Sequence, residues 1–230
     1  MAMSHDIGGA IARVHERIER ACERAGRDAG SVQLIAVSKG HPEEVIRAAY
    51  GAGMRVFGEN YAQDLAAKAS ALSDLPDISW RFIGHLQRNK IKLIEGARAT
   101  VDTVDSERLA QAISARAAAS GTDVEVLLQV NVGGEAQKSG CTPEEVPQLV
   151  EAVRALPNVT LRGLMTVTPH LDDAEATRPF FAALRALADA HRLPELSMGM
   201  THDLEQAVEE GATMVRIGTA IFGPRPPVER

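Results

Sequence analysis

Eight short apolar runs, each followed by a stretch with helical periodicity, leave few folds open to this chain. The runs span residues 34–39, 55–60, 79–84, 99–104, 124–131, 159–167, 195–200 and 214–218. Strands separated by helices must run parallel through crossover connections, and parallel strands covered on both faces read as continuous apolar stretches. Eight such units within about 190 residues match a closed (β/α)8 barrel of the TIM type. An open doubly wound sheet needs fewer strands and usually carries a Gly-rich turn after the first, where this chain has Lys39. The fold class expected is therefore α/β, a single (β/α)8 barrel domain over residues 1–230. Residues 1–30 form a helical addition, because Ile7, Ile11, Val14, Ile18 and Cys22 recur along one face before the first strand. Pro42-Glu43-Glu44, Ser106 and Thr142-Pro143-Glu144-Glu145 read as helix starts, the last as a capping box. The tail Arg225-Pro226-Pro227 ends the pattern.

Composition narrows the function classes. Hydrophobic residues make up 45% of the 230, enough for a full core. The net charge of −6 and an aromatic content of 3% offer nucleic acid neither an attractive field nor a stacking series. Cys22 and Cys141 have no second Cys or His nearby at metal-ligand spacing, which points to reduced thiols and a cytoplasmic protein. Charges scattered through the first 26 residues argue against a signal peptide, and no apolar run reaches membrane-spanning length.

Barrel chemistry gathers at the C-terminal ends of the strands. Those ends carry Lys39, Asn60, His85, Asn131, Thr166, the segment Ser197-Met198-Gly199-Met200-Thr201, and Arg216 with Gly218-Thr219. Barrels often hold a phosphate with the loops after strands seven and eight and a short helix behind them. Small residues there let backbone amides approach an anion, and Ser197 and Thr219 add hydroxyls. A lysine at strand one would capture a carbonyl on the molecule whose phosphate sits across the mouth. Pyridoxal phosphate fits this constellation, and so does a phosphorylated sugar in an aldolase. Arg216 beside the cradle favours the former, since pyridoxal enzymes set an Asp or an Arg against the ring nitrogen.

The motifs AVSK, FGEN, FIGHLQRNK, QKSG, LRGLMT, LSMGM and MVRIGTAIFG occur in this order between about residues 7 and 223. In these the chain resembles the pyridoxal phosphate homeostasis protein (YggS/PROSC) family. The resemblance implies the fold type III barrel of alanine racemase without its C-terminal β domain. It implies that Lys39 forms the Schiff base with pyridoxal 5'-phosphate and that Ser197, Gly218 and Thr219 hold the phosphate. Arg216 would face the pyridine nitrogen, Asn60 would lie beside the cofactor, and His85 joins the cofactor-binding set. Thr201 stands where the family usually has Ser, and Gly40-His41 replaces a commoner Thr-Lys.

Arginine does not give up its proton, so as a donor to the ring nitrogen it leaves the ring a weaker electron sink. A racemase also needs a second base, which related racemases take from a tyrosine outside the barrel. The tyrosines here are Tyr50 and Tyr61, inside the first barrel helix and at the start of the next. The expected function is a pyridoxal phosphate-binding protein that holds the cofactor and delivers it to apo-enzymes. The expected state is a monomer without a metal site, nucleic-acid partner or membrane partner. The alternative is a pyridoxal phosphate-dependent amino-acid racemase.

Overall fold

The computed structural model describes residues 6–135 and 137–224. The chain opens with α1 (Ile7–Ala25), then β1 (Gln33–Val37), α2 (Glu43–Gly51), β2 (Val56–Glu59), α3 (Ala62–Ala71) and β3 (Ser79–Phe82). It continues through α4 (Ile91–Gly96), β4 (Thr100–Val104), α5 (Glu107–Ser120), β5 (Val124–Gln129), α6 (Val146–Arg154) and β6 (Val159–Met165). The last elements are α7 (Arg178–Ala190), β7 (Glu195–Ser197), α8 (Leu204–Glu209), β8 (Met214–Ile217) and α9 (Thr219–Phe222). The eight strands form a closed parallel barrel in sequence order. The ring shuts where β1 pairs with β8, Gln33 opposite Met214 and Ala36 opposite Ile217.

The alternation of each strand sorts its side chains between two places. Leu34, Ala36, Phe57, Phe82, Val126 and Leu128 join the large apolar shell between barrel and helices. Ile35, Leu127, Met165 and Met214 form a separate apolar plug inside the bore, with Val56 and Val167 against it. Arg81, Asp102, Ser197 and Arg216, also buried, share the bore with that plug by the same alternation.

α1 belongs to no strand–helix unit. Its buried face is Ala10, Ile11, Val14, Ile18, Ala21 and Cys22, and it packs on α2, α8 and α9. Gly26 stops it in the left-handed conformation at φ 64°, its N–H turned back on the Cys22 and Glu23 carbonyls. Thr142 and Glu145 form the expected capping box. Ser106 occupies the expected N-cap, but its hydroxyl turns to Asp105 Oδ1 at 3.1 Å rather than to the helix. Apart from β4, which ends at Val104 as expected, the strands end one to three residues earlier than the apolar runs suggest: β1 stops at Val37 and β7 at Ser197. Residues 1–5 of the expected helical addition and the tail at 225–227 lie outside the described residues.

Cys22 and Cys141 are free and buried. Burial pushes the Cys141 thiol up to about 12, with Glu145 adding to the effect. At pH 8 that leaves about one thiolate in 10⁴, roughly a thousandfold fewer than for an ordinary cysteine. Timed alkylation of the native protein at pH 8 should therefore spare Cys141, and unfolding in guanidinium should expose it to rapid labelling. Fast labelling of the native thiol would contradict its burial.

Candidate functional site

The chain leaves β1 through Ser38 and Lys39. Ser38 is fully buried, and its hydroxyl donates to Glu59 Oε1 at 2.7 Å. Lys68, from α3, donates to the Ser38 carbonyl at 2.8 Å and ion-pairs with the same Glu59. Two apolar runs distant in sequence are thus tied together just outside the bore, one residue before Lys39 and one before Asn60. A hydrogen-bonded charge pair with Glu59 wholly buried costs several kcal/mol to break from one side, so both neighbouring residues are held at fixed height. Beyond Lys39, Gly40 turns at φ 72°, and the His41 N–H reaches back to the Ser38 carbonyl at 3.0 Å. The Lys39 ammonium lies 5.3 Å from the centroid of the Tyr61 ring.

Lys39 opens into a cavity of about 360 Å³ at the C-terminal mouth of the barrel. Asn60, Arg216, Gly218 and Thr219 line it too, so five of the residues expected from sequence share one space. Thr201, His41 and His202 also face it, and among the described residues no carboxylate does. Its lining carries the charges of Lys39 and Arg216, an arrangement suited to an anion. Asn60 is placed by Gly84: a Cβ there would stand 2.0 Å from the Asn60 carbonyl oxygen, so any side chain would displace the Asn60 backbone.

The loop after β7 is fixed from three directions. Gly199 turns at φ 92°, and a Cβ on it would meet Ala207 Cβ at 2.4 Å. Asp203 accepts from the Met200 N–H at 2.7 Å and from the Thr168 hydroxyl at 2.9 Å. Arg17 of α1 donates to the Thr201 carbonyl at 2.9 Å while gripping Glu205 with Nε and Nη2. These bonds hold Thr201 at the cavity beside Gly218 and Thr219, where α9 begins.

Arg216 crosses the floor of the cavity. Its Nη1 donates to Ser197 Oγ at 2.9 Å and its Nη2 to the Thr166 carbonyl at 2.7 Å. Burial pulls its pKa down and the nearby Asp102 carboxylate pulls it up, yet a guanidinium keeps its proton across the whole working range.

Two expected site residues lie elsewhere. Ser197 is fully buried, one layer below the mouth, and its hydroxyl serves Arg216. The apolar run did not give its height; β7 ends there, and the loop reaches the cavity only at Met200 and Thr201. His85 stands outside the cavity with its side chain 62% exposed, Nδ1 3.4 Å from Ser139 Oγ and 3.8 Å from Asp105. The bend at Gly84 breaks the alternation after Ile83, the last β3-side residue to line the cavity. Sequence reasoning missed His202 and the bore residues Arg81 and Asp102, and it noted His41 only as a departure from the family pattern. It placed Thr201 among the polar residues at the end of strand seven and noted it as a departure from a pattern, without assigning it to the phosphate; the hydroxyl kept at that position was the available signal.

The family model for the alanine racemase N-terminal domain matches residues 11–226. A pyridoxal phosphate homeostasis protein of Aquifex aeolicus is 48% identical over 221 residues, covering 94% of this chain and 96% of the relative. The chain belongs to the pyridoxal phosphate homeostasis protein family. The human pyridoxal phosphate homeostasis protein is 38% identical over 244 residues, covering 98% of this chain and 89% of the relative. PipY of Synechococcus elongatus, a solved structure with pyridoxal phosphate bound, is 39% identical at a TM-score of 0.77, covering 90% of this chain and 100% of that one. Alanine racemase of Corynebacterium glutamicum shares the fold at 20% identity and a TM-score of 0.65. This chain covers 62% of that racemase.

Proposed function

We propose that the chain binds pyridoxal 5'-phosphate in the cavity at the barrel mouth, covalently through Lys39, and holds it for delivery to apo-enzymes rather than turning over an amino acid. One observation carries this: a lysine amine, a buried guanidinium and a hydroxyl-and-glycine cradle line a single cavity without a carboxylate. When bound, the cofactor supplies an aldehyde that an amine can capture. The residues present suit it. Lys39 is the amine; Gly218, Thr219 and Thr201 cradle the phosphate; Arg216 donates to the ring nitrogen; Asn60 lies alongside. In this reading Ser197 acts behind Arg216, and His85 stays outside the contact set.

A carrier role is supported by what the tyrosines do. Tyr50 bonds Asp77 through its hydroxyl and stacks on Arg55 with the guanidinium carbon 3.9 Å from its ring centroid. Tyr61, 54% exposed at the rim, turns its ring face toward Lys39, which leaves the opposite side of the cavity without a phenol base. Among the described residues no three His, Cys, Asp or Glu side chains group to hold a metal ion, and no helix is long and apolar enough to cross a membrane. A monomer in the cytoplasm handing its cargo to apo-enzymes completes the reading.

The test loads the protein with cofactor, removes the excess, and offers either an apo-aminotransferase or single amino acids. Reactivation of the apo-enzyme without amino-acid turnover supports the carrier. Racemisation of any common amino acid at about 1 s⁻¹ or faster overturns it.

A further inference from the structure

The fully buried Asp102 lies one strand from Arg81 and across the bore from Arg216. Arg81 Nε stands 3.0 Å from each of its carboxylate oxygens, and Arg81 Nη2 stands 2.8 Å from Oδ1. On its other side, Ser197 Oγ lies 3.5 Å from Oδ2 and accepts from Arg216 Nη1 at 2.9 Å. Guanidinium groups have donors only, which leaves this chain a single polarity. Arg216 donates to the serine oxygen, the serine proton is turned toward Asp102, and Arg81 donates to Asp102 from the far end. A carboxylate thus terminates two chains of donors that begin on cations.

We propose that Asp102 is the positioning residue for the ring-nitrogen donor, fixing the Arg216 guanidinium through Ser197 so that an N–H points up into the cavity at the heterocycle. The proposal rests on the cofactor reading above and names a residue that does not touch the cofactor. The geometry supports it in two ways. First, the Ser197 and Thr166 bonds hold Nη1 and Nη2 from below, so the guanidinium plane is set before any ligand arrives. Second, the acids near Arg216 are few: Asp203 is engaged by Thr168 and the Met200 N–H, and Glu195, 3.7 Å from Arg81, is a partner of Arg162. Asp102 is the carboxylate left to compensate Arg216 inside the bore. Without it two largely buried guanidiniums share the bore with no carboxylate between them, and Arg216 is driven off its aim.

Two ligands separate positioning from general support: pyridoxal 5'-phosphate, and its 1-deaza analogue with CH in place of the ring nitrogen. Binding of each is followed by absorbance, with thermal unfolding as the check on folding. Asp102→Asn should weaken the natural cofactor about tenfold relative to the deaza analogue, the loss expected for one hydrogen bond from a charged donor. It should also shift the absorbance of the bound cofactor while leaving that of the analogue unmoved. Ser197→Ala, which spares the Arg81–Asp102 pair, should move the same ratio in the same direction and carries the test if Asp102→Asn fails to fold. Equal weakening of both ligands, or an unchanged ratio in Ser197→Ala, overturns the proposal. Failure of the wild-type protein to bind the cofactor would instead overturn the functional reading beneath it.

Discussion

Lys39→Ala is expected to abolish covalent capture of pyridoxal phosphate, so that borohydride treatment leaves no labelled peptide, while the fold stays intact. The side chain is half-buried, and its ammonium lies over the face of the exposed Tyr61 ring. Its loss should cost the protein no more than about 1 kcal/mol of stability. Two other lysines near the barrel mouth are committed elsewhere. Lys68 is bonded to Ser38 and paired with Glu59, and Lys138 donates to the Thr168 carbonyl and pairs with Glu135. Neither is free to replace Lys39 without breaking a partly buried bond. The variant should still hold the cofactor weakly, through Thr201, Gly218 and Thr219. The measurement is mass spectrometry of the reduced, digested protein. Undiminished labelling of the variant at a different lysine would show that the covalent site had been placed wrongly.

Gly199→Ala should be among the most damaging single substitutions in the chain. Two costs coincide there. The backbone sits at φ 92°, which a Cβ disfavours by about 1–2 kcal/mol. The new methyl would also stand 2.4 Å from Ala207 Cβ, on a buried helix face with little room to retreat, adding about 1–3 kcal/mol of overpacking. A loss of about 2–5 kcal/mol, or about 10 °C in Tm for a chain of this size, follows. The natural control is Gly26→Ala: φ is 64°, and a Cβ would find no atom within 4 Å. Only the backbone cost applies there, about 1–2 kcal/mol. Because the Gly199 carbonyl accepts the Arg216 N–H at 3.0 Å, the first variant should lose cofactor affinity as well as stability. Thermal unfolding of the pair decides the matter. Equal shifts would mean that α8 yields easily and that the loop is less firmly held than its bonds imply.

Much of this was legible in the residues. The repeated strand–helix rhythm is a property of local pattern, and a closed barrel is the arrangement that buries eight such units. Facing was legible too, since inward and outward alternate along every strand. Height along the barrel axis was not. Ser197 and Thr201 both read as hydroxyls at the end of strand seven, and only the early stop of β7 decides which reaches the cavity. His85 was misplaced by the same ambiguity, because a bend at Gly84 ends the alternation that an apolar run implies. Asp102 and Arg81 escaped notice for a different reason. A charged residue inside an apolar run looks like an interruption until its partner, here one strand away, is known.

The order in which the site's parts leave the ribosome differs from their order in space. Lys39 is synthesised among the first, whereas Thr201, Gly218 and Thr219 come some 160–180 residues later, and β1 finds β8 only after both exist. A nascent chain therefore carries the Lys39 amine through most of translation without Thr201, Gly218 and Thr219 opposite. On the proposed reading, capture of the vitamin aldehyde at Lys39 becomes a signature of finished synthesis, one that a stalled or truncated polypeptide lacking its final strand would be unable to produce.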